Sequence, residues 1–153
     1  MRLLTIAAIA ACASALLTGC GGKGDGNSIS VFDVKVGECF NAPGTVTAEL
    51  SKITKVSCAK EHLREAYAIA DYEAPSGSSD AYPGADALST YSKGVCAQQY
   101  KPYVGVDYLD SALYFTYLFP SARSWEQDHD RNVICFVTSS GEPLTGSVKN
   151  SKR

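Results

Sequence analysis

The sequence has few of the residues on which most catalytic and metal sites depend. Its 153 residues include only two histidines, His62 and His129, and a single tryptophan, Trp125. It contains no Cys-x-x-Cys pair, which zinc ribbons and thiol oxidoreductases use, and no Gly-x-Ser-x-Gly nucleophile elbow. We therefore expect no cofactor, no metal and no complete catalytic constellation, and predict that the protein is not an enzyme.

Basic residues are not in excess either. Lysine and arginine number 14 against 16 acidic residues, which gives a net charge of −2. The basic side chains of Lys149, Lys152 and Arg153 cluster at the end of the sequence, and we interpret residues 150–153 as a solvated tail. Nucleic-acid binding requires a basic surface, so no nucleic-acid partner is expected.

An apolar run begins directly after Arg2 and covers residues 3–17. It is shorter than the roughly 20 apolar residues of a membrane-spanning helix, and it ends in Leu17-Thr18-Gly19-Cys20. This layout predicts a lipoprotein signal peptide over residues 1–19 and a lipid on Cys20; a plain secretory signal and an uncleaved anchor are the alternatives. Two acyl chains on one cysteine give stable attachment, which predicts an extracytoplasmic protein anchored to the outer face of the cell membrane.

Glycine and polar residues dominate positions 20–28, which follow the lipidation signal. Such a segment cannot bury apolar surface, so it is interpreted as a flexible tether. Residues 29–149 are then long enough for one domain with its own core.

Four cysteines remain after Cys12, within the signal peptide, and Cys20 are set aside. An even number in an oxidising compartment predicts two disulfides, and three pairings are open. One pair of cysteines brackets the first two predicted strands, whereas another joins the predicted helix to a late strand. We therefore predict the pairs Cys39–Cys58 and Cys96–Cys135.

The apolar patterns predict an α+β domain in which one helix packs on a mostly antiparallel sheet. The helix is expected over residues 84–101, with Pro83 in its first turn and Pro102 at its end. A short helical turn capped by Ser121 should carry Trp125. Residues 73–83 are expected to form an exposed loop, and residues 139–142 a hairpin turn. Strands are predicted at residues 31–36, 46–56, 65–72, 113–119, 132–138 and 144–148.

Several segments in a fixed order resemble the septum formation domain family of actinobacterial envelope proteins. They span nearly all of the mature chain, at residues 34–40, 56–66, 82–84, 103–105, 124–125, 130–135 and 145–147, together with Cys96. The chain departs from the family pattern at His129, where members often have glycine. The resemblance implies a link to septum formation or cell division, and it implies no reaction.

His62 is the first candidate binding residue. The segment His62-Leu63-Arg64-Glu65-Ala66 is an incomplete inverted zinc motif, because the second histidine would have to stand at Ala66. Two interpretations remain open: a local hydrogen bond that fixes the chain after Cys58, or a shallow site that captures a small ligand or ion.

The segment from Asp128 to Asn132 supplies further candidates, His129, Asp130 and Arg131. Its oxygen ligands resemble the start of a calcium loop, but the required glycine is Val133 and the required glutamate is Ser139. The simpler interpretation is an exposed polar turn in which Arg131 pairs with a neighbouring carboxylate.

Aromatic residues are the strongest indication of a binding surface, since the sequence contains nine tyrosines besides Trp125. Such rings serve protein interfaces and sugar faces. The leading hypothesis is a non-enzymatic binding or scaffolding protein that contacts an envelope protein or a cell-wall polymer. The alternative is a wall-acting hydrolase, or its cofactor, that uses carboxylates near His129.

Overall fold

The computed structural model describes residues 27–41, 50–76 and 80–153. The predicted signal peptide, Cys20 and most of the predicted tether lie outside these residues. Within the described residues, none of the helices has the length and apolar character needed to cross a membrane.

The described residues form six strands: β1 (Ser28–Ser30), β2 (Cys39–Asn41), β3 (Lys52–Val56), β4 (Arg64–Asp71), β5 (Tyr114–Leu118) and β6 (Asn132–Thr138). They make one sheet in the spatial order β1-β3-β2-β4-β6-β5, and all of its paired strands run antiparallel. The long strands β4 and β6 lie side by side between β2 and β5, and a bulge between Ala66 and Ala68 shifts their register.

The main helix, α1 (Ala85–Val104), covers one face of this sheet. Tyr100 is fully buried there and meets the ring of Tyr67 edge-on, at 5.6 Å between centroids. Alternate residues of β6 point to the same side, as predicted: Val133, Cys135 and Val137. Helix and sheet thus enclose the larger core, and the predicted α+β class is confirmed.

The opposite face carries a smaller core. Phe40 and Phe136 meet edge-to-face at 5.9 Å and pack with Val34, Ile53 and Ile134. Ile29 and Val31 of the N-terminal segment and Leu118 of β5 pack against this core. The described residues leave part of this face open.

Both predicted disulfides are confirmed. Cys39 and Cys58 are bonded with their Cα atoms 5.2 Å apart, and Cys96 and Cys135 with theirs 5.5 Å apart. The first bridge ties β2 to the loop after β3, and the second ties α1 to β6. By loop-closure entropy, each contributes about 3–4 kcal/mol.

The predicted N-terminal strand at residues 31–36 is wrong. The strand ends at Ser30, whose hydroxyl accepts a hydrogen bond from the Phe32 amide at 3.2 Å. This local bond starts a 3-10 turn over Val31–Asp33. The strand that pairs with both β3 and β4 is instead β2, which the sequence did not predict.

The helix boundaries also differ from the prediction. Pro83 lies before the cap residue Gly84 and not in the first turn. The helix runs past Pro102 to Val104, and Gly105 ends it in the left-handed conformation, φ 91°. Tyr103 and Val104 are buried, so the packing of this last turn outweighs the hydrogen bond that proline removes.

Residues 144–148 do not form the predicted strand. Leu144 forms an isolated β-bridge with His62, and the amide of Val148 donates a hydrogen bond to the side chain of Glu65. Residues 150–153 are mostly exposed, and the amides of Asn150 and Lys152 donate to Tyr103 O and Val104 O, both at 2.9 Å. Of the predicted strand at 46–56, residues 52–56 form β3, residues 50–51 precede it, and residues 46–49 lie outside the described residues.

Candidate functional sites

The predicted helical turn with Trp125 is confirmed as helix α2, Ala122–Gln127. Ser121 caps it by accepting a bond from the Ser124 amide, and the Ser124 hydroxyl in turn accepts from the Ser121 amide, both at 3.0 Å. This reciprocal capping box fixes the start of a helix too short to be stable alone. It thereby sets the position of the tryptophan.

Trp125 forms the floor of an aromatic cluster. Its side chain is only 4% exposed, and its indole N–H donates to Asp80 O at 2.9 Å. Tyr72 and Tyr82 meet it edge-on, with centroids at 5.7 and 5.9 Å. Trp125 therefore holds the 80–83 segment against α2, and the half-buried tyrosines stand beside it.

Arg131 stacks on the indole, with Cζ 3.6 Å from the ring centroid. One guanidinium nitrogen donates to Trp125 O at 2.9 Å, and the other pairs with Asp80 Oδ1 at 3.2 Å. The side chain is 22% exposed, whereas that of Asp80 is 92% exposed. Arg131 does pair with a carboxylate, but its partner is Asp80, 51 residues away in the sequence, and not a neighbouring residue as predicted.

These residues line a cavity of about 450 Å³ that opens to solvent, here called the aromatic cleft. Its volume falls within the roughly 300–1,000 Å³ of small-ligand sites. Tyrosine, tryptophan and arginine are the residues that contribute most to binding at interfaces. The cleft is lined by Tyr72, Ala74, Pro75, Asp80, Ala81, Tyr82, Pro83, Trp125 and Arg131.

Asp130 and His129 form the turn between α2 and β6. Both carboxylate oxygens of Asp130 accept hydrogen bonds, from Ser124 Oγ at 3.1 Å and from the Asn132 amide at 3.0 Å. His129 is exposed and takes a positive φ of 52°, a conformation in which glycine has no steric cost. The structure thus brings Trp125, Asp130 and Arg131 together, but both carboxylate oxygens of Asp130 are used in hydrogen bonds that stabilise the turn.

His62 lies elsewhere and is fully buried. Its Nδ1 is 2.8 Å from Lys60 O, which can only accept, so Nδ1 carries the proton. Nε2 has no hydrogen-bond partner and lies 4.0 Å from Glu65 Oε2. The local bond expected from the sequence is present, and no surface around His62 is open to a ligand.

Beside His62 lies a residue that sequence reasoning passed over, Glu65. Its carboxylate is fully buried and accepts three hydrogen bonds, from Tyr103 Oη and Ser147 Oγ at 2.6 Å and from the Val148 amide at 2.8 Å. We call Glu65, these three donors and His62 the buried network. An acidic residue at the start of an otherwise apolar strand was the signal that could have revealed it.

Burial raises the pKa of the Tyr103 phenol well above its ordinary value, and the hydrogen bond to Glu65 raises this pKa further. Burial similarly raises the pKa of Tyr67. Both phenols therefore remain donors at neutral pH, the form in which Tyr103 satisfies the carboxylate. Glu65 Oε and the sulfurs of Cys39 and Cys58 lie within 4.8 Å of one another, but sulfurs joined in a disulfide are not the thiolates that bind metals.

Comparison with known proteins gives one informative match. Neither the curated proteins nor the solved structures contain a match to this chain. A family model described as septum formation matches residues 36–152, which include both disulfides, the buried network and all lining residues of the aromatic cleft. The match associates the protein with septum formation, and the resemblance noted in the sequence is confirmed. The chain belongs to the septum formation family.

Proposed function

We propose that the protein is a non-enzymatic, lipid-anchored binding protein of the cell envelope that serves septum formation through its aromatic cleft. The observation that carries this proposal is the open cleft itself, in which Tyr82 and Arg131 remain partly accessible above a buried Trp125. Rings and a guanidinium held in place before binding lose little conformational entropy when a partner arrives. The partner is an envelope protein or a cell-wall polymer.

The anchor is tested by the intact mass of the protein extracted from membranes. We expect loss of residues 1–19 and a diacylglyceryl group on Cys20. Peptide mapping should find Cys39, Cys58, Cys96 and Cys135 labelled only after reduction. An unmodified Cys20 would contradict the anchor without touching the role of the cleft.

The cleft is tested with a matched pair of variants, Tyr82→Ala in the cleft and Tyr114→Ala on the exposed edge of β5. Binding to purified wall material and to partners crosslinked in intact envelopes should fall at least about tenfold in the first variant only, as for an interface hot spot. Equal binding by both variants and the unaltered chain would rule out the cleft.

The same preparations address the hydrolase alternative. We expect no turnover of labelled peptidoglycan by the unaltered chain, since both oxygens of Asp130 are already bonded within the turn. Turnover that disappears in Asp130→Asn would overturn the non-enzymatic proposal.

A further inference from the structure

A second cavity, of about 410 Å³, lies on the sheet face opposite α1. We call it the apolar groove. It is separate from the aromatic cleft, because Ser124 of α2 lines the groove whereas Trp125 lines the cleft. Its apolar lining includes Val31, Phe32, Ile69, Leu118 and Ile134.

Three of these residues form a row across the sheet. Ile69 pairs with Ile134, and Ile134 pairs with Leu118, so one aliphatic side chain from each of three neighbouring strands points into the groove. Ile134 is 7% exposed at the floor, whereas Ile69 is 38% and Phe32 52% exposed. Contiguous apolar surface left open in this way typically marks an interaction site.

The other end of the groove is polar. Ser121, Arg123, Asp128, Asp130 and Asn132 line this end, so two carboxylates and one guanidinium give it a net charge of −1. Beside it, a group that itself carries a net negative charge is disfavoured, whereas a group with hydrogen-bond donors and no net negative charge is favoured. An apolar channel that ends in such acceptors matches an amphiphile.

The groove also lies where the chain leaves the described residues. The 3-10 turn Val31–Asp33 supplies one of its walls, and β1 before it begins at Ser28. Six residues lie between Cys20 and Asn27. Seven residue steps reach at most roughly 25 Å even in a fully extended chain, so a lipid on Cys20 would hold the groove close to a bilayer surface.

We propose that the apolar groove binds one acyl chain of a membrane phospholipid whose head group carries a hydrogen-bond donor and no net negative charge. The acyl chain lies along Ile69, Ile134 and Leu118, and the head group meets Asp128 and Asn132. This site goes beyond the function proposed for the aromatic cleft, and neither site requires the other.

The test uses the full chain purified from membranes and placed in phosphatidylcholine vesicles. These contain a small fraction of phosphatidylethanolamine with a photoreactive diazirine in its acyl chain, or of phosphatidylglycerol with the same acyl chain. Attachment through Cys20 or through an uncleaved apolar N-terminus presents the domain equally, so the outcome does not depend on lipidation. After irradiation, peptide mapping locates the crosslinks.

We expect phosphatidylethanolamine to label Ile134 and Leu118 at the floor of the groove, and phosphatidylglycerol to label them much less. Ile69→Asp should reduce this labelling at least about tenfold, because the acyl chain would have to bury a charge. Leu109→Asp changes the most exposed of the large apolar residues among the described ones, at 77%, and should leave the labelling unchanged. Phe32→Ser replaces Ile69→Asp if the latter loses its disulfides or its folded circular-dichroism spectrum.

Asp128→Lys tests the head-group part of the proposal and should shift the preference toward phosphatidylglycerol. Labelling confined to Leu109 and other surface residues, or equal floor labelling in Ile69→Asp, would overturn the acyl-chain site. An unchanged head-group preference in Asp128→Lys would overturn the assignment of the polar end.

Discussion

The buried network and the aromatic cleft both hold a charged side chain against aromatic rings, but they differ in their access to solvent. Glu65 is fully buried and accepts three hydrogen bonds, whereas the Arg131 side chain is 22% exposed and lies at the edge of a cavity. A charge that is enclosed and fully bonded stabilises the fold but contacts nothing outside it. A partly exposed charge on a fixed ring remains able to contact a partner.

The largest expected effect comes from Glu65→Ala in the buried network. The change leaves the hydroxyls of Tyr103 and Ser147 and the amide of Val148 without their acceptor, so we expect a loss of about 3–5 kcal/mol in the free energy of unfolding. Denaturant unfolding with intact disulfides measures it. The exposed Glu61→Ala is the control and should stay within about 0.5 kcal/mol of the unaltered chain. Equal losses in the two variants would remove the distinction between network and surface.

The neighbouring disulfide should have the next largest effect. The double variant Cys39→Ala/Cys58→Ala opens a bridge that closes a 19-residue separation, and the expected loss is about 3 kcal/mol. Unfolding of the double variant is compared with that of the reduced and alkylated unaltered chain. If the double variant were as stable as the unaltered chain, the bridge would have no part in holding this side of the domain.

Alkaline pH should have the next largest effect on stability, and it should act on the buried network rather than on the aromatic cleft. Because burial raises the pKa of Tyr103, its stabilising contribution is complete below the ordinary tyrosine pKa of about 10 and is lost as the pH rises above that value. The free energy of unfolding should then fall by up to about 1.4 kcal/mol per pH unit for this group. Tyr103→Phe should reduce the slope between pH 10 and 11. Tyr114→Phe, which changes an exposed ring, is the control, and equal slopes in both variants would contradict the assignment.

The smallest effect on stability is expected in the aromatic cleft. Arg131→Lys removes a planar group stacked on Trp125 and should cost about 1 kcal/mol or less in unfolding free energy. The same change should weaken binding to the envelope partner, because an ammonium group does not reproduce the stacked fork. Thermal unfolding and wall binding are measured on the same sample. A large loss of stability with unchanged binding would reverse the comparison between cleft and network.

Much of the fold could be predicted wherever local patterns agree with tertiary packing. Strand β6 follows its alternating residues from Asn132 to Thr138, and α2 begins at its cap Ser121. The prediction of the N-terminal strand was wrong because the hydroxyl of Ser30 accepts a hydrogen bond from the Phe32 amide and turns the chain there. The predicted end of α1 was wrong because the packing of Tyr103 outweighs the loss of the hydrogen bond that Pro102 removes.

The sequence predicted only those residues of the candidate site that lie close together along the chain. Trp125, Asp130 and Arg131 are close in the sequence and remain close in space. Asp80, which completes the cleft, is 51 residues from Arg131 and carries no local signal. His62 was selected by its chemistry alone, and only packing showed that it is enclosed.

The sequence by itself left three pairings of the cysteines open, but it determined the class of the domain and its membership of the septum formation family. These depend on composition, periodicity and short ordered motifs, which are local properties of the chain. Tertiary structure alone decided that Glu65 would be enclosed, that Arg131 would remain accessible and that the described residues would leave an apolar groove open. Each depends on segments distant in the sequence, such as Glu65 and Val148, whose separation of 83 residues no local pattern spans.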